Sequence, residues 1–178
     1  VSRGEAGAEE FASLGISKYK TKDYQGAVAD ITRAIDAGSK DNSTYAARGF
    51  SLFALKEYEK SIPDFNRAIE LGQHDTNIYF SRGAAKFSLK DYKNALPDLD
   101  KAITTGTTDP LAFDMRGYCR YESQNYNEAI KDFDEAITKD PKLALVFFHR
   151  GDAKFSVDNT AGAIQDYSQA MALGITDV

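Results

Sequence analysis

Apolar and polar positions along this chain recur at two helical spacings, joined by short polar turns. In the stretch from 113 to 141, Phe113, Gly117 and Tyr121 fall four residues apart. A polar run, Glu122 to Asn125, interrupts them, and Tyr126, Ala129, Phe133 and Ala136 resume the pattern at steps of three and four. Side chains three and four apart share one face of a helix, so the spacing predicts two amphipathic helices separated by a turn. Asp140-Pro141 then closes the second helix, since proline cannot continue it.

The same order slides along the chain in a 34-residue frame, with copies at 8–41, 42–75, 76–109, 110–143 and 144–177. Position 4 of the frame holds Phe11, Tyr45, Tyr79, Phe113 and Phe147, and position 8 holds Gly15, Gly49, Gly83, Gly117 and Gly151. Position 24 holds Ile31, Phe65, Leu99, Phe133 and Tyr167, and position 27 is Ala34, Ala68, Ala102, Ala136 and Ala170. Glycine and alanine at positions 8, 20 and 27 would let the two helices of a copy approach closely, with aromatics filling the space around them. One hairpin cannot bury such a face alone, so the copies are expected to stack into an array. Gly38, Gly72, Gly106 and Gly174 at position 31 are the expected left-handed ends of the second helices. Asp75 and Asp109-Pro110 have the form of N-terminal caps. Pro63 and Pro97 fall near the starts of second helices, where they cost little.

This register resembles the tetratricopeptide repeat (TPR), a 34-residue helix-turn-helix unit, over nearly the whole chain. The resemblance implies an all-α fold, a single domain over residues 1–178 of about ten antiparallel helices forming a right-handed superhelix of less than one turn. Three features depart from the family pattern. Tryptophan is absent, only Pro141 keeps the proline of position 32, and position 7 is Leu14 in the first copy but Arg48, Arg82, Arg116 and Arg150 in the others. Position 23 is always acidic: Asp30, Asp64, Asp98, Asp132 and Asp166. A ladder of inter-helix ion pairs is the expected reading, each arginine taking the aspartate of the preceding copy, Arg116 with Asp98 for example. An arginine row for an anionic ligand is the alternative, weaker because buried charges are normally paired.

In the TPR family, first helices line a concave face on which peptides lie, and the resemblance transfers that lining to positions 2, 5, 6, 9, 12 and 13. The peptide-binding groove expected here comprises Phe50, Phe80, Leu111, Asp114, Met115, Tyr118, Leu145, Phe148, His149 and Asp152, with Ala12, Ile16 and Ala46 beside them. Position 12 (Tyr19, Phe53, Phe87, Tyr121, Phe155) is expected to be mostly structural. Core packing does not demand Phe50, Phe80, Tyr118 or Phe148, and a contiguous apolar surface marks a partner site. No copy carries the lysine, asparagine and arginine set of the TPR subclass that grips a C-terminal carboxylate, so a carboxylate-clamp co-chaperone is not expected.

Charge and chemistry narrow this further. With 22 Lys+Arg against 27 Asp+Glu, the net charge of −5 argues against nucleic acid and an RNA-binding repeat. No apolar run approaches a membrane span, and Val1 to Glu10 shows no signal peptide. Reducing cytoplasm is the default for a chain with one cysteine, Cys119, which is expected half-buried and inert. His74 and His149 lack ligand-spaced neighbours, so neither a metal nor a cofactor is expected, and no enzyme. The expected function is a protein-interaction scaffold or adaptor that binds an unidentified peptide or protein segment in an apolar groove. The rival is self-assembly: no capping helix follows the fifth copy, and the outer face of its second helix is expected to offer Ile164, Tyr167 and Met171. The same feature fits a fragment of a larger TPR adaptor.

Overall fold

A computed structural model describes residues 3–175, with side chains from residue 7 onward. Val1 and Ser2, which open the stretch read for a leader, and residues 176–178, which include the last positions of the fifth copy, lie outside the described residues. The helices follow in chain order as α1 (Arg3–Lys20), α2 (Tyr24–Asp36), α3 (Asn42–Ala54), α4 (Tyr58–Glu70), α5 (Thr76–Ser88), α6 (Tyr92–Thr104), α7 (Pro110–Glu122), α8 (Tyr126–Lys139), α9 (Ala144–Phe155) and α10 (Thr160–Ala172). Among the described residues there is no strand. The fold is all-α. It divides into two compact units, residues 1–90 with α1 to α5 and residues 91–178 with α6 to α10.

Each unit is built by stacking. In the first, α1 packs on α2, α2 on α3, α3 on α4 and α4 on α5, and in the second the same succession runs from α6 to α10. First helices also touch one another, α1 with α3, α3 with α5, and α7 with α9. Position 8 needs glycine because the second helix passes so close. A Cβ on Gly117 would lie 2.7 Å from the Phe133 ring, and one on Gly151 would lie 2.5 Å from Tyr167. Phe65 and Phe133, at position 24, are fully buried, each contributing about 1.5–3 kcal/mol of apolar burial.

The ends of the helices follow the capping residues. Asp75 accepts from the Ile78 amide at 3.0 Å, and Asp109 from the Leu111 amide at 2.9 Å with Pro110 at the first helical position. Gly38, Gly72, Gly106 and Gly174 have φ between 95° and 108°, which lets the chain turn out of each second helix at no steric cost. Pro63 and Pro97 are exposed and lie inside α4 and α6, past the first turn. One conformational feature has no signature in the repeat pattern. Lys22, Lys56, Lys90, Gln124 and Asp158, all at position 15, are left-handed, with φ between 60° and 64°. They form the turn inside each hairpin, and none is glycine.

The charge ladder exists, but its pairing differs from the expected one. Arg48, Arg116 and Arg150 each take the aspartate of their own copy. Arg48 binds Asp64 through Nε at 2.8 Å and Nη2 at 2.7 Å, Arg116 binds Asp132 at 3.0 and 2.6 Å, and Arg150 binds Asp166 at 2.9 and 2.6 Å. The remaining nitrogen, Nη1, reaches position 25 of the preceding copy: Thr32 from Arg48 at 3.2 Å, Asn66 from Arg82 at 2.8 Å, Asp100 from Arg116 at 2.9 Å and Asp134 from Arg150 at 2.6 Å. Arg116 is therefore held by Asp132 and Asp100, not by Asp98. A planar guanidinium with donors on two edges can staple a hairpin and its neighbour at once, which a lysine cannot. In the first copy, where Leu14 replaces the arginine, Lys18 supplies the cation for Asp30 at 2.6 Å.

The outer face of α10 needs a second correction. Ile164 and Met171 are exposed, at 59% and 54%. Tyr167 is half-buried and points at α9, where its ring packs on Phe148 and its hydroxyl donates to Asp152 at 2.8 Å. As the position-24 aromatic it belongs inside the hairpin.

Candidate functional site

Successive first helices bring the lining positions together. In the first unit, Tyr19 of α1, Phe50 of α3, and Asn77 and Ser81 of α5 line one depression of about 410 Å³, with Gln73 and Asp75 at its edge. A second, of about 710 Å³, is formed by Ala12, Ser13 and Ile16 of α1 against residues 37–41 between α2 and α3 and Ser43 and Thr44 of α3. Phe50 is half-buried: it stacks on Tyr19 at 6.0 Å and meets Phe65 edge-on at 5.2 Å. Phe80 is also half-buried, and Ala46 is buried.

In the second unit, Leu111 and Leu145 occupy position 2 of the adjacent first helices α7 and α9. Both are exposed, at 42% and 53%. Met115, Tyr118, Phe148, His149 and Asp152 are half-buried. The Tyr118 ring lies 5.4 Å from Tyr92 and 4.8 Å from His149, and Phe148 packs 5.6 Å from Tyr167. Of the four aromatics expected to be free of the core, Phe50, Tyr118 and Phe148 each pack against another ring, and all four are half-buried.

Asp114 departs from the expected lining. It is 6% exposed, and its Oδ1 lies 2.9 Å from Nδ1 of His149. The pair joins α7 to α9 beneath the rings of Tyr118 and Phe133, so Asp114 orients His149 and is not itself a contact surface. Two further residues belong to the site. Tyr167 positions Asp152 by its hydrogen bond, and Glu122 is exposed at the end of α7, four residues after Tyr118. A frame confined to first helices has no signal for Tyr167, and Glu122 sits at lining position 13. Burial, together with the carboxylates of Glu122 and Asp152, pushes the phenols of Tyr118 and Tyr167 up, that of Tyr167 to about 12. Both therefore stay neutral, and Tyr167 donates to Asp152.

Cys119 is fully buried, more deeply than expected, and burial pushes its thiol up to about 12. His74 is exposed in the α4–α5 loop, with Nδ1 at 2.8 Å from the Tyr79 hydroxyl. Among the described residues no His, Cys, Asp and Glu cluster could hold a metal ion, and no helix is long and apolar enough to cross a membrane. On α7 and α9 the arrangement sets rings, aliphatic side chains and carboxylates side by side.

Solved structures of similar fold were found. The TPR protein YrrB, whose structure is described as having an unusual peptide-binding site, is 20% identical, with 92% of this chain and 84% of that one covered and a TM-score of 0.83. MamA from Desulfovibrio magneticus RS-1 is 19% identical over 93% of this chain and 94% of that one, at a TM-score of 0.79. MamA AMB-1 is 17% identical over 97% and 99%, at 0.84. At these identities the likeness shows the fold alone. No curated protein matches the sequence. Family models do match: the tetratricopeptide repeat over residues 13–76 and again over 76–105, and the TPR repeat over 117–158. With all three matches falling on the helical hairpins described above, the chain belongs to the tetratricopeptide repeat family.

Proposed function

We propose that this protein is an interaction scaffold that binds a peptide or protein segment along its first helices. The observation that carries this reading is the pair Leu111 and Leu145, large apolar side chains exposed at equivalent positions of adjacent helices and flanked by half-buried aromatic walls. The repeat does not need either leucine for its core, since both face solvent. Exposed apolar side chains that continue into a row of aromatics mark a partner site on a soluble protein. YrrB, a protein of the same fold with a described peptide-binding site, supports the general mode.

The test uses an array of 15-residue peptides that vary in apolar content, read with the parent protein and with a Leu111→Ser, Leu145→Ser double variant. Apolar peptides are expected to bind the parent. The double variant should bind them at least tenfold more weakly, since two buried leucines can each contribute about 1.5–3 kcal/mol, while its melting temperature stays near that of the parent. Equal binding by the double variant retires the groove at α7 and α9. A second reading, self-association, draws on Ile164 and Met171, both exposed on α10. Light scattering of the parent and of Ile164→Glu, Met171→Glu decides it: a dimer that the double variant breaks supports self-association, and a monomeric parent at high concentration removes it.

A further inference from the structure

On the reading that α7 and α9 line a peptide groove, the partner's chemistry follows from charge. The eight expected lining residues there are Leu111, Asp114, Met115 and Tyr118 from α7, and Leu145, Phe148, His149 and Asp152 from α9, and none is lysine or arginine. The cations these helices carry are on the other flank. Arg116 and Arg120 are held by Asp132 and Asp100, Arg150 by Asp166 and Asp134, and Lys154 by Asp166, with their side chains 14–21% exposed. The carboxylates of the lining are differently placed. Asp152 accepts from the Tyr167 phenol, and Glu122 is exposed at the end of α7. The Tyr167 phenol is neutral, so it positions Asp152 without neutralising it. Asp114 is set aside, because it faces His149.

We infer that the groove on α7 and α9 takes a basic apolar segment, an amphipathic stretch whose leucine-like side chains pack on Leu111, Leu145 and the rings, and whose lysine or arginine side chains meet Asp152 and Glu122. The two halves of this surface suit such a residue. A lysine or arginine lays its methylene stem along an aromatic wall while its head reaches a carboxylate, and a cation over the face of Tyr118 or Phe148 is attracted by the ring itself. An acidic segment of the same apolar content would face like charge there and be excluded.

Three blocked 15-residue peptides test this, with one leucine pattern and with lysine, glutamine or glutamate at every other position. Binding is followed by fluorescence anisotropy with the intact chain. The lysine peptide should bind at least tenfold tighter than the glutamine peptide, and the glutamate peptide weaker than both. The lysine advantage should shrink between about 0.05 and 0.5 M salt, as screened charges require. Glu122→Gln with Asp152→Asn should abolish most of that advantage, read as the ratio of lysine-peptide to glutamine-peptide affinity. Glu135→Gln with Asp158→Asn removes the same charge from exposed positions outside the lining and should leave the advantage intact. If the glutamine peptide binds but lysine adds nothing, or if both double variants lose the advantage equally, the basic-segment inference falls and the groove stands. If none of the three binds at millimolar concentration, the groove itself falls and the inference with it.

Discussion

Asp132→Ala tests what the charge ladder does for stability. Asp132 is 2% exposed and accepts from Arg116 through Nε and Nη2, and from Arg120 through Nη1 at 2.9 Å. Removing it strands two guanidinium groups whose side chains are only 14% and 21% exposed. Breaking a buried ion pair from one side costs about 3–5 kcal/mol because a desolvated charge is left behind. Two features reduce that here: both arginines keep a route to solvent, and Arg116 keeps Asp100 at 2.9 Å. A loss of about 2–4 kcal/mol is expected, lowering the melting temperature by roughly 5–15 °C for a chain of this size. Asp134→Ala is the comparison. Its carboxylate also binds an arginine, at 2.6 Å, but is 53% exposed, so it should cost no more than about 1 kcal/mol. Urea denaturation and thermal melts of both variants decide the matter. If Asp132→Ala overlays the parent, or if Asp134→Ala costs as much, the ladder is a solvated charge pattern and not a structural staple.

Gln124→Gly should raise stability by about 0.5–1 kcal/mol in a urea titration. The left-handed strain at φ 62° is worth about 1–2 kcal/mol, and glycine's greater unfolded freedom offsets part of it; a loss would mean the glutamine side chain matters to the turn. Tyr167→Glu should unfold the α9–α10 hairpin by far-UV circular dichroism, because the side chain packs on Gly151 and Phe148, while Ile164→Glu with Met171→Glu should keep the parent's spectrum and melt. Stability should also fall in acid through Asp166. Burial alone would raise its carboxyl, but hydrogen bonds from Arg150 and Lys154 outweigh burial and hold it below the ordinary aspartate value. Its contribution is therefore complete above the unfolded pKa, about 3.9, and is lost as pH falls through the depressed folded value. Urea midpoints from pH 7 to 2 should drop less steeply in that acid window for Asp166→Asn than for the parent.

The parts of the fold that depend on local spacing were legible from the residues. Helix faces repeat every three or four residues, so Phe133 beneath Gly117 could be placed from the frame alone, and the carboxylate caps and Gly38-type ends follow from backbone groups a few residues away. The repetition also made the family and the stacking of hairpins legible, because one unit cannot bury its own face. Contacts in which several copies compete for one side chain were set by the packing of the helices. Arg116 has Asp98, Asp100 and Asp132 at plausible frame positions, and the direction of its side chain, which a repeat pattern does not encode, selects Asp132 and Asp100. Asp114 looked like a groove residue by position, yet His149, 35 residues on, turns it inward. Tyr167 looked outward-facing until its hydroxyl was found on Asp152. The lining aromatics were legible as residues and not as half-buried walls, since how far a ring is covered depends on the neighbouring helix. Periodicity states which face a residue occupies. How much of that face remains for a partner is set by the packing of the next repeat.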